Sequence, residues 1–243
     1  MVAEQSVQHS PCWLSVIVPA LNESRSITAL LAILQPWRAQ GAEVIVVDGG
    51  STDNTVALAA PLADRVLLTR AGRATQMNAG AAAANGQLLW FVHADTTLSG
   101  AEIRLLQSCM AKLQCGGWGR FDVRLSGADW RLRMVAGLMN LRSRVTGIAT
   151  GDQALFVSRD TFVSVGGFPL QPLMEDVEIS ARLRRLSWPI CLGETIVTDS
   201  RRWQRHGVWR TIALMWWLRW RYFCGESPVK LHRDYYGGSS AND

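Results

Sequence analysis

The chain of 243 residues lacks features that define several classes of protein. No stretch approaches the roughly 20 apolar residues that a membrane-spanning helix needs, and the first eleven residues lack the apolar segment of a secretory signal. Its cysteines form no CxxC pair and no zinc-binding spacing: Cys12, Cys109, Cys115, Cys191 and Cys224. We therefore expect a cytoplasmic protein with reduced thiols, in solution or peripheral at the inner face of the membrane.

Two nucleotide-binding patterns are also missing. No GxGxxG motif follows the first predicted strand, which argues against a dinucleotide-dependent oxidoreductase. The segment found there, Pro19-Ala20-Leu21-Asn22-Glu23, is not the glycine-rich, Lys- or Arg-bearing loop expected of a nucleotidyltransferase.

The composition is that of a folded protein with a basic charge balance. Apolar residues make up 48% of the chain and charged residues 19%, which is ordinary for a globular domain. The formal net charge of +5 favours anionic partners, and a diphosphate substrate, a membrane surface and nucleic acid all fit that charge.

Strands and helices are predicted to alternate through the first hundred residues. Apolar and β-branched segments predict strands at 14–18, 43–47, 65–68 and 88–92, with helices between them. Pro19 is expected to end the first strand, because proline cannot donate to a sheet ladder. The alternation predicts a single α/β domain with a Rossmann-like, mostly parallel sheet flanked by helices.

We divide the chain into three parts. A flexible tail covers 1–12, one domain covers 13–200, and a basic, Trp-rich helical extension covers 201–243. The domain has a nucleotide-binding half, about 13–100, and an acceptor-binding half, about 101–200. Within the extension, 208–223 predicts a helix that mixes apolar and basic residues, which suits a lipid headgroup layer. Burial against the sheet or a partner subunit is the alternative.

Acidic or amide residues follow three of the predicted strands. Asn22 and Glu23 follow the first, Asp48 follows the second, and Asp95 follows the fourth. Open α/β sheets bind ligands at the carboxyl ends of their strands. Helix capping explains one such residue, but three groups at one edge favour a metal ion held against a diphosphate.

Five motifs, taken in order, resemble glycosyltransferase family 2. They are Ser15–Glu23, Val46–Asp53, Gly72-Arg73 with Asn78 and Gly80, His93-Ala94-Asp95, and Glu175-Asp176. The likeness covers about residues 14–224 and is greatest to a short bacterial group associated with arsenosugar biosynthesis. It implies a GT-A fold, a nucleotide-diphospho-sugar donor, a divalent metal (Mn²⁺ or Mg²⁺) and inversion at the anomeric carbon.

The resemblance also implies roles for individual residues. The donor would be bound by Pro19, Ala20, Asn22, Glu23, Asp48, Arg73, Asn78, His93 and Arg202. Asp95, the last residue of the family's DxD element, would coordinate the metal, with His206 as a further candidate. Asp176 matches the catalytic base and Glu175 lies beside it, although acids in the first turn of a helix also complement its dipole. A small-molecule or lipid-linked acceptor would lie near Gly151, Asp152 and Gln153.

The chain departs from the family pattern at three positions, and the first of these, His93, keeps an alternative open. His93 stands where the first Asp of DxD is usual, Gly49 replaces the second Asp of Asp-Asp-Gly-Ser, and Asp199 replaces the Gln of the Gln-x-x-Arg-Trp element of processive members. Polymer synthesis is therefore not expected. The alternative is a non-catalytic nucleotide- or membrane-binding module derived from a glycosyltransferase; nucleic acid is not an expected partner of the enzyme.

Overall fold

The computed structural model describes residues 12–201, 203 and 207–237. The predicted tail, apart from Cys12, therefore lies outside the described residues, and so do Arg202 and His206.

A seven-stranded sheet forms the centre of the described chain. Its strands are β1 (Leu14–Ala20), β2 (Ala42–Asp48), β3 (Arg65–Leu68), β4 (Leu88–Phe91), β5 (Trp118–Leu125), β6 (Phe156–Ser158) and β7 (Ile190–Thr198). Their order across the sheet is β3-β2-β1-β4-β6-β5-β7. Every pair is parallel except those of β6, which runs antiparallel to β4 and β5. The predicted mostly parallel sheet in a single α/β domain is confirmed.

Helices cover both faces of this sheet. They are α1 (Ile27–Arg38), α2 (Thr55–Ala59), α3 (Arg73–Ala83), α4 (Glu102–Gln114), α5 (Trp130–Thr146), α6 (Arg159–Ser164), α7 (Glu175–Leu186), α8 (Val208–Phe223) and α9 (Pro228–Gly237). Alternate residues of a strand point to opposite faces, so Val16 and Val18 of β1 pack in one core cluster with α1, whereas Ile17 packs in the other with α3. No helix within the described residues is both long and apolar enough to cross a membrane.

The prediction that Pro19 ends the first strand is wrong. β1 continues to Ala20, and Pro19 pairs with Val47 of β2. The proline is tolerated because the ladder between β1 and β4 has its last pair at Ile17 and Phe91, so no ladder hydrogen bond is lost at its nitrogen.

The two C-terminal helices complete a core cluster of their own. Leu218 of α8 and Leu231 of α9 are completely buried, and they pack with the nearly buried Met174 and Val177 at the start of α7. The helix predicted over 208–223 is present with those bounds, and it packs on the domain rather than extending away from it.

Candidate active site

The carboxyl edge of the sheet gathers most of the predicted site. Glu23 follows β1, and His93 and Asp95 follow β4. Because β6 runs in the opposite direction, its beginning lies at this edge. A single 3-10 turn, Gly151–Gln153, therefore arrives beside His93, whose Nδ1 lies 3.7 Å from the Asp152 carboxylate.

Two adjoining cavities lie at this edge, of about 370 and 630 Å³, and we call them together the cleft. Both cavities are lined by Arg73, His93, Asp95, Leu173, Glu175 and Tyr235. The smaller cavity is also lined by Asp176 and by residues of α8. The larger is lined by Pro19, Ala20 and Glu23 on one side and by residues of α9 on another. A cleft of this size suits a ligand larger than a single sugar.

Two carboxylates stand at the first turn of α7. The Asp176 carboxylate accepts hydrogen bonds from the backbone N–H of Gly151, at 2.8 Å, and of Val177, at 2.7 Å. Burial raises the pKa of Asp176 against the opposing effect of these N–H groups. Glu175 is only 6% exposed, and burial together with the charge of Asp176 raises its pKa to about 7. This pair can take up a proton near neutral pH, as a general base must.

A cation and a neutral imidazole face these carboxylates. Loss of solvent around the Arg73 guanidinium disfavours its charged form. The attraction of the Glu175 and Asp152 carboxylates outweighs that effect and raises the pKa of Arg73. Burial and the charge of Arg73 lower the pKa of His93 to about 4. His93 is therefore uncharged at neutral pH, and Arg73 is the positive group that both cavities share.

Asp95, the residue predicted to coordinate a divalent metal, lies at the cleft. It lines both cavities, whereas no group of three His, Cys, Asp or Glu side chains suited to a metal occurs among the described residues. Mg²⁺ is commonly held by one or two carboxylates together with substrate phosphates. The Asp95 carboxylate is a donor of that kind, whereas His206 and Arg202 lie outside the described residues.

Three predicted donor-binding residues form hydrogen bonds to nearby loops and are not among the residues that line the two cavities. Asp48 is buried, and its carboxylate accepts hydrogen bonds from two backbone N–H groups of the loop that follows it, both at 2.8 Å. Asn22 reaches the same loop by accepting from the N–H of Thr52 at 2.9 Å. The Asn78 amide bonds to both the N–H and the C=O of Phe168, at 2.9 and 2.8 Å.

The contribution of α9 was missed from the sequence. His232, Tyr235 and Tyr236 line the larger cavity, and the ring centroids of His232 and Tyr236 lie 4.5 Å apart. Arg221 of α8 holds α9 in place through an ion pair with Asp234 at 2.6 Å. The spacing of His232 and Tyr236, four residues apart on one helix side, was the available signal.

Comparison with known proteins identifies the family. Residues 15–163, more than half of the chain, match Glycosyl transferase family 2. Uncharacterized glycosyltransferases from two strains of Mycobacterium tuberculosis, CDC 1551 / Oshkosh and ATCC 25618 / H37Rv, are each 29% identical to this chain over 189 residues. The match covers 73% of this chain and 71% of each relative.

Solved structures of low identity share the fold. S. aureus TarS 1–349 gives a TM-score of 0.62 at 17% identity, over 77% of this chain and 60% of that one, so this chain spans less than two thirds of TarS 1–349. Glucosyl-3-phosphoglycerate synthase from Mycobacterium tuberculosis, solved with Mn²⁺, UDP and glucosyl-3-phosphoglycerate, gives 0.57 at 20% identity, over 76% and 70%. With its mostly parallel sheet and its family match, the chain belongs to glycosyl transferase family 2 and is a glycosyltransferase of the GT-A fold.

Proposed function

We propose that this glycosyltransferase moves a sugar from a nucleotide-diphospho-sugar to an acceptor hydroxyl, with inversion at the anomeric carbon. The observation that carries the proposal is the convergence of Asp95, Asp176 and Arg73, distant in sequence, on one cleft. The solved relatives support this donor class, since TarS was crystallised with UDP-GlcNAc and the synthase with UDP.

Asp176 is the proposed general base. Inversion by a single displacement requires the acceptor hydroxyl to lose its proton as it attacks, and a positioned carboxylate contributes about 10²–10⁴-fold to such a step. The N–H of Gly151 fixes the Asp176 carboxylate at the smaller cavity. The pKa of Glu175 is raised to about 7. When Glu175 is protonated, it adds no negative charge beside the base.

The donor's diphosphate is proposed to lie beside Arg73 and Asp95. Negative charge develops on the departing nucleoside diphosphate, and the Arg73 guanidinium is placed to stabilise it. A divalent metal bound with Asp95 would supply further charge neutralisation to the leaving group. His93, being neutral, would offer a hydrogen bond to the donor without repelling that cation.

The finer assignments stay predictions. These are membership of the arsenosugar-associated group, the metal and donor roles of His206 and Arg202, and the choice between a small-molecule and a lipid-linked acceptor. The convergence of Asp95 and Asp176 in one cleft favours an enzyme over the alternative of a non-catalytic binding module. A screen of UDP-, GDP- and dTDP-sugars for donor hydrolysis would identify the nucleotide.

The substitution Asp176→Asn tests the base directly. We expect transfer to fall by at least about 10²-fold, while stabilisation of the protein by nucleoside diphosphate and Mn²⁺ in a thermal-shift assay is retained. Asp95→Ala should instead lose the Mn²⁺-dependent part of that stabilisation. Asp160→Asn, an exposed acid in α6, is the matched control. An Asp176→Asn protein that keeps most of its turnover would refute the assignment.

A further inference from the structure

One side of α8 carries aromatic side chains that the protein does not bury. Exposed along it are Trp209, Trp216, Trp217, Trp220 and Phe223. This spacing places them on one stripe of the helix, whereas Thr211 and Leu218, on the opposite side, are buried. Trp216 is 69% exposed and Phe223 70%. Single exposed apolar residues are ordinary, but a continuous group of aromatic residues marks a surface that binds something.

Helix α5 repeats this arrangement. Its exposed stripe contains Trp130, Leu138, Leu141 and Val145. Leu132, Val135 and Ala136, on the opposite side of α5, belong to the same core cluster as Val208 at the start of α8. The two exposed stripes therefore belong to helices that bury residues in one core cluster.

The same two helices hold the excess positive charge of the chain. Helix α5 contains four arginines and α8 contains three, and neither contains an acidic residue. Without these seven, the 25 Lys and Arg residues of the chain are reduced to 18, against 20 Asp and Glu. Arg131, Arg144 and Arg221 pair with acids outside the two helices, while Arg133 and Arg210 are exposed.

We propose that the exposed stripes of α5 and α8 form a docking surface for a bilayer that contains anionic lipids. Tryptophan side chains favour the headgroup region, and exposed arginines are attracted to anionic headgroups. A helix with one aromatic side and basic residues lies in the plane of the interface without crossing it. A second copy of the chain fits this surface poorly, because a symmetric contact would bring arginines against arginines.

The side of α8 that faces away from the docking surface lines the cleft. Thr211, Met215 and Arg219 of α8 line the smaller cavity, so docking would hold that cavity close to the headgroups. On the proposed function, this position suits an acceptor that carries a lipid. Membrane binding itself does not depend on sugar transfer, and each can fail while the other stands.

Co-sedimentation of the full chain with vesicles tests the docking surface. We expect binding to mixed phosphatidylcholine–phosphatidylglycerol vesicles, weakening as salt is raised, and none to phosphatidylcholine alone. Arg133→Gln combined with Arg210→Gln should weaken binding roughly 25-fold, since each basic residue near an anionic surface contributes about five-fold. Trp216→Ala combined with Trp220→Ala should abolish it.

Leu68→Ala combined with Arg104→Gln, at exposed positions outside α5 and α8, is the matched control and should bind as the unchanged chain does. Thermal unfolding verifies that every variant folds, and transfer to a water-soluble acceptor should be equal in all of them. Absence of binding to the mixed vesicles, or equal binding by the tryptophan variant, overturns the proposal. So does a dimer in solution that the tryptophan substitutions convert to a monomer.

Discussion

At the scale of single residues, the site depends on carboxylates held away from water. The pKa of Glu175 rises from its ordinary 4.5 to about 7 on folding. Between about pH 4.5 and pH 7 the unfolded chain is ionised at this position while the folded chain keeps its proton, so the free energy of unfolding falls as the pH rises through that window. This decrease in the free energy of unfolding is complete above the folded-state pKa and absent below the unfolded-state pKa.

Glu175→Gln should remove this loss. We expect the free energy of unfolding to increase by on the order of 2 kcal/mol at about pH 8 and to stay unchanged at about pH 4. Urea denaturation at the two pH values measures both quantities. Asp160→Asn serves as the control, and a gain of equal size at the acidic pH would show that burial of the Glu175 charge is not the cause.

Asp48 and Asp95 show how far a residue's role can be predicted from sequence. Both follow predicted strands, and the topology brings both to one edge of the sheet. Asp95 lines the cleft. The Asp48 carboxylate instead accepts hydrogen bonds from the backbone N–H groups of Gly50 and Ser51, in the loop that follows it. Hydrogen bonding within a short loop decides that orientation, and periodicity in the sequence carries no information about it.

At the scale of secondary-structure elements, strand direction decides which loops reach the cleft. The alternation of apolar strands with helices correctly predicted the four parallel strands of the first hundred residues. The direction of β6 was not predicted, because its short apolar segment reads the same for either direction. Its antiparallel course brings Gly151–Gln153, which precede the strand, to the cleft. A parallel strand would have brought the residues that follow it.

Helix α9 forms part of the larger cavity, and an ion pair with Arg221 of α8 connects α9 to the rest of the domain. Asp234→Asn removes one ion pair to Arg221, so α9 should hold His232 and Tyr236 less firmly against the donor. We expect the KM for the nucleotide sugar to rise roughly five-fold, as for the loss of a modest ion pair, with kcat changed less. Steady-state kinetics measure both constants.

Lys230→Gln is the control on the same helix, because its pair with Glu226 is largely exposed, with 63% of the lysine side chain accessible. A fall in kcat with an unchanged KM in Asp234→Asn would mean that α9 does not bind the donor.

At the scale of the whole molecule, the C-terminal helices are part of the folded unit. Composition marked residues 201–243 as an extension, because the change to Arg and Trp is abrupt there. Leu218 and Leu231 are nevertheless buried against residues of the α7 region. These leucines are buried by contacts with residues that lie far away in the sequence. Amino-acid composition carries no information about such contacts.

Leu231→Ala should therefore weaken the entire fold. We expect the free energy of unfolding to fall by about 2–5 kcal/mol, the usual effect of a cavity at a buried leucine, in a single cooperative transition. Leu186→Ala, the same change at a position that is 60% exposed, should have little effect. Two separate unfolding transitions, with only the lower one shifted, would instead identify the C-terminal helices as an independent unit.

The most buried and the most exposed tryptophans of this chain should differ in their fluorescence emission. Trp37, Trp90 and Trp118 are at most 2% exposed, and indole rings in such dry surroundings emit at shorter wavelengths than rings in water. The exposed tryptophans of α8, together with Trp130 and Trp188, are more than half accessible to solvent, so they should emit at the red edge and be the first to be quenched by acrylamide. Any macromolecule that covers α8 should shift that red edge while the blue component stays constant, which makes the unlabelled protein its own fluorescent reporter.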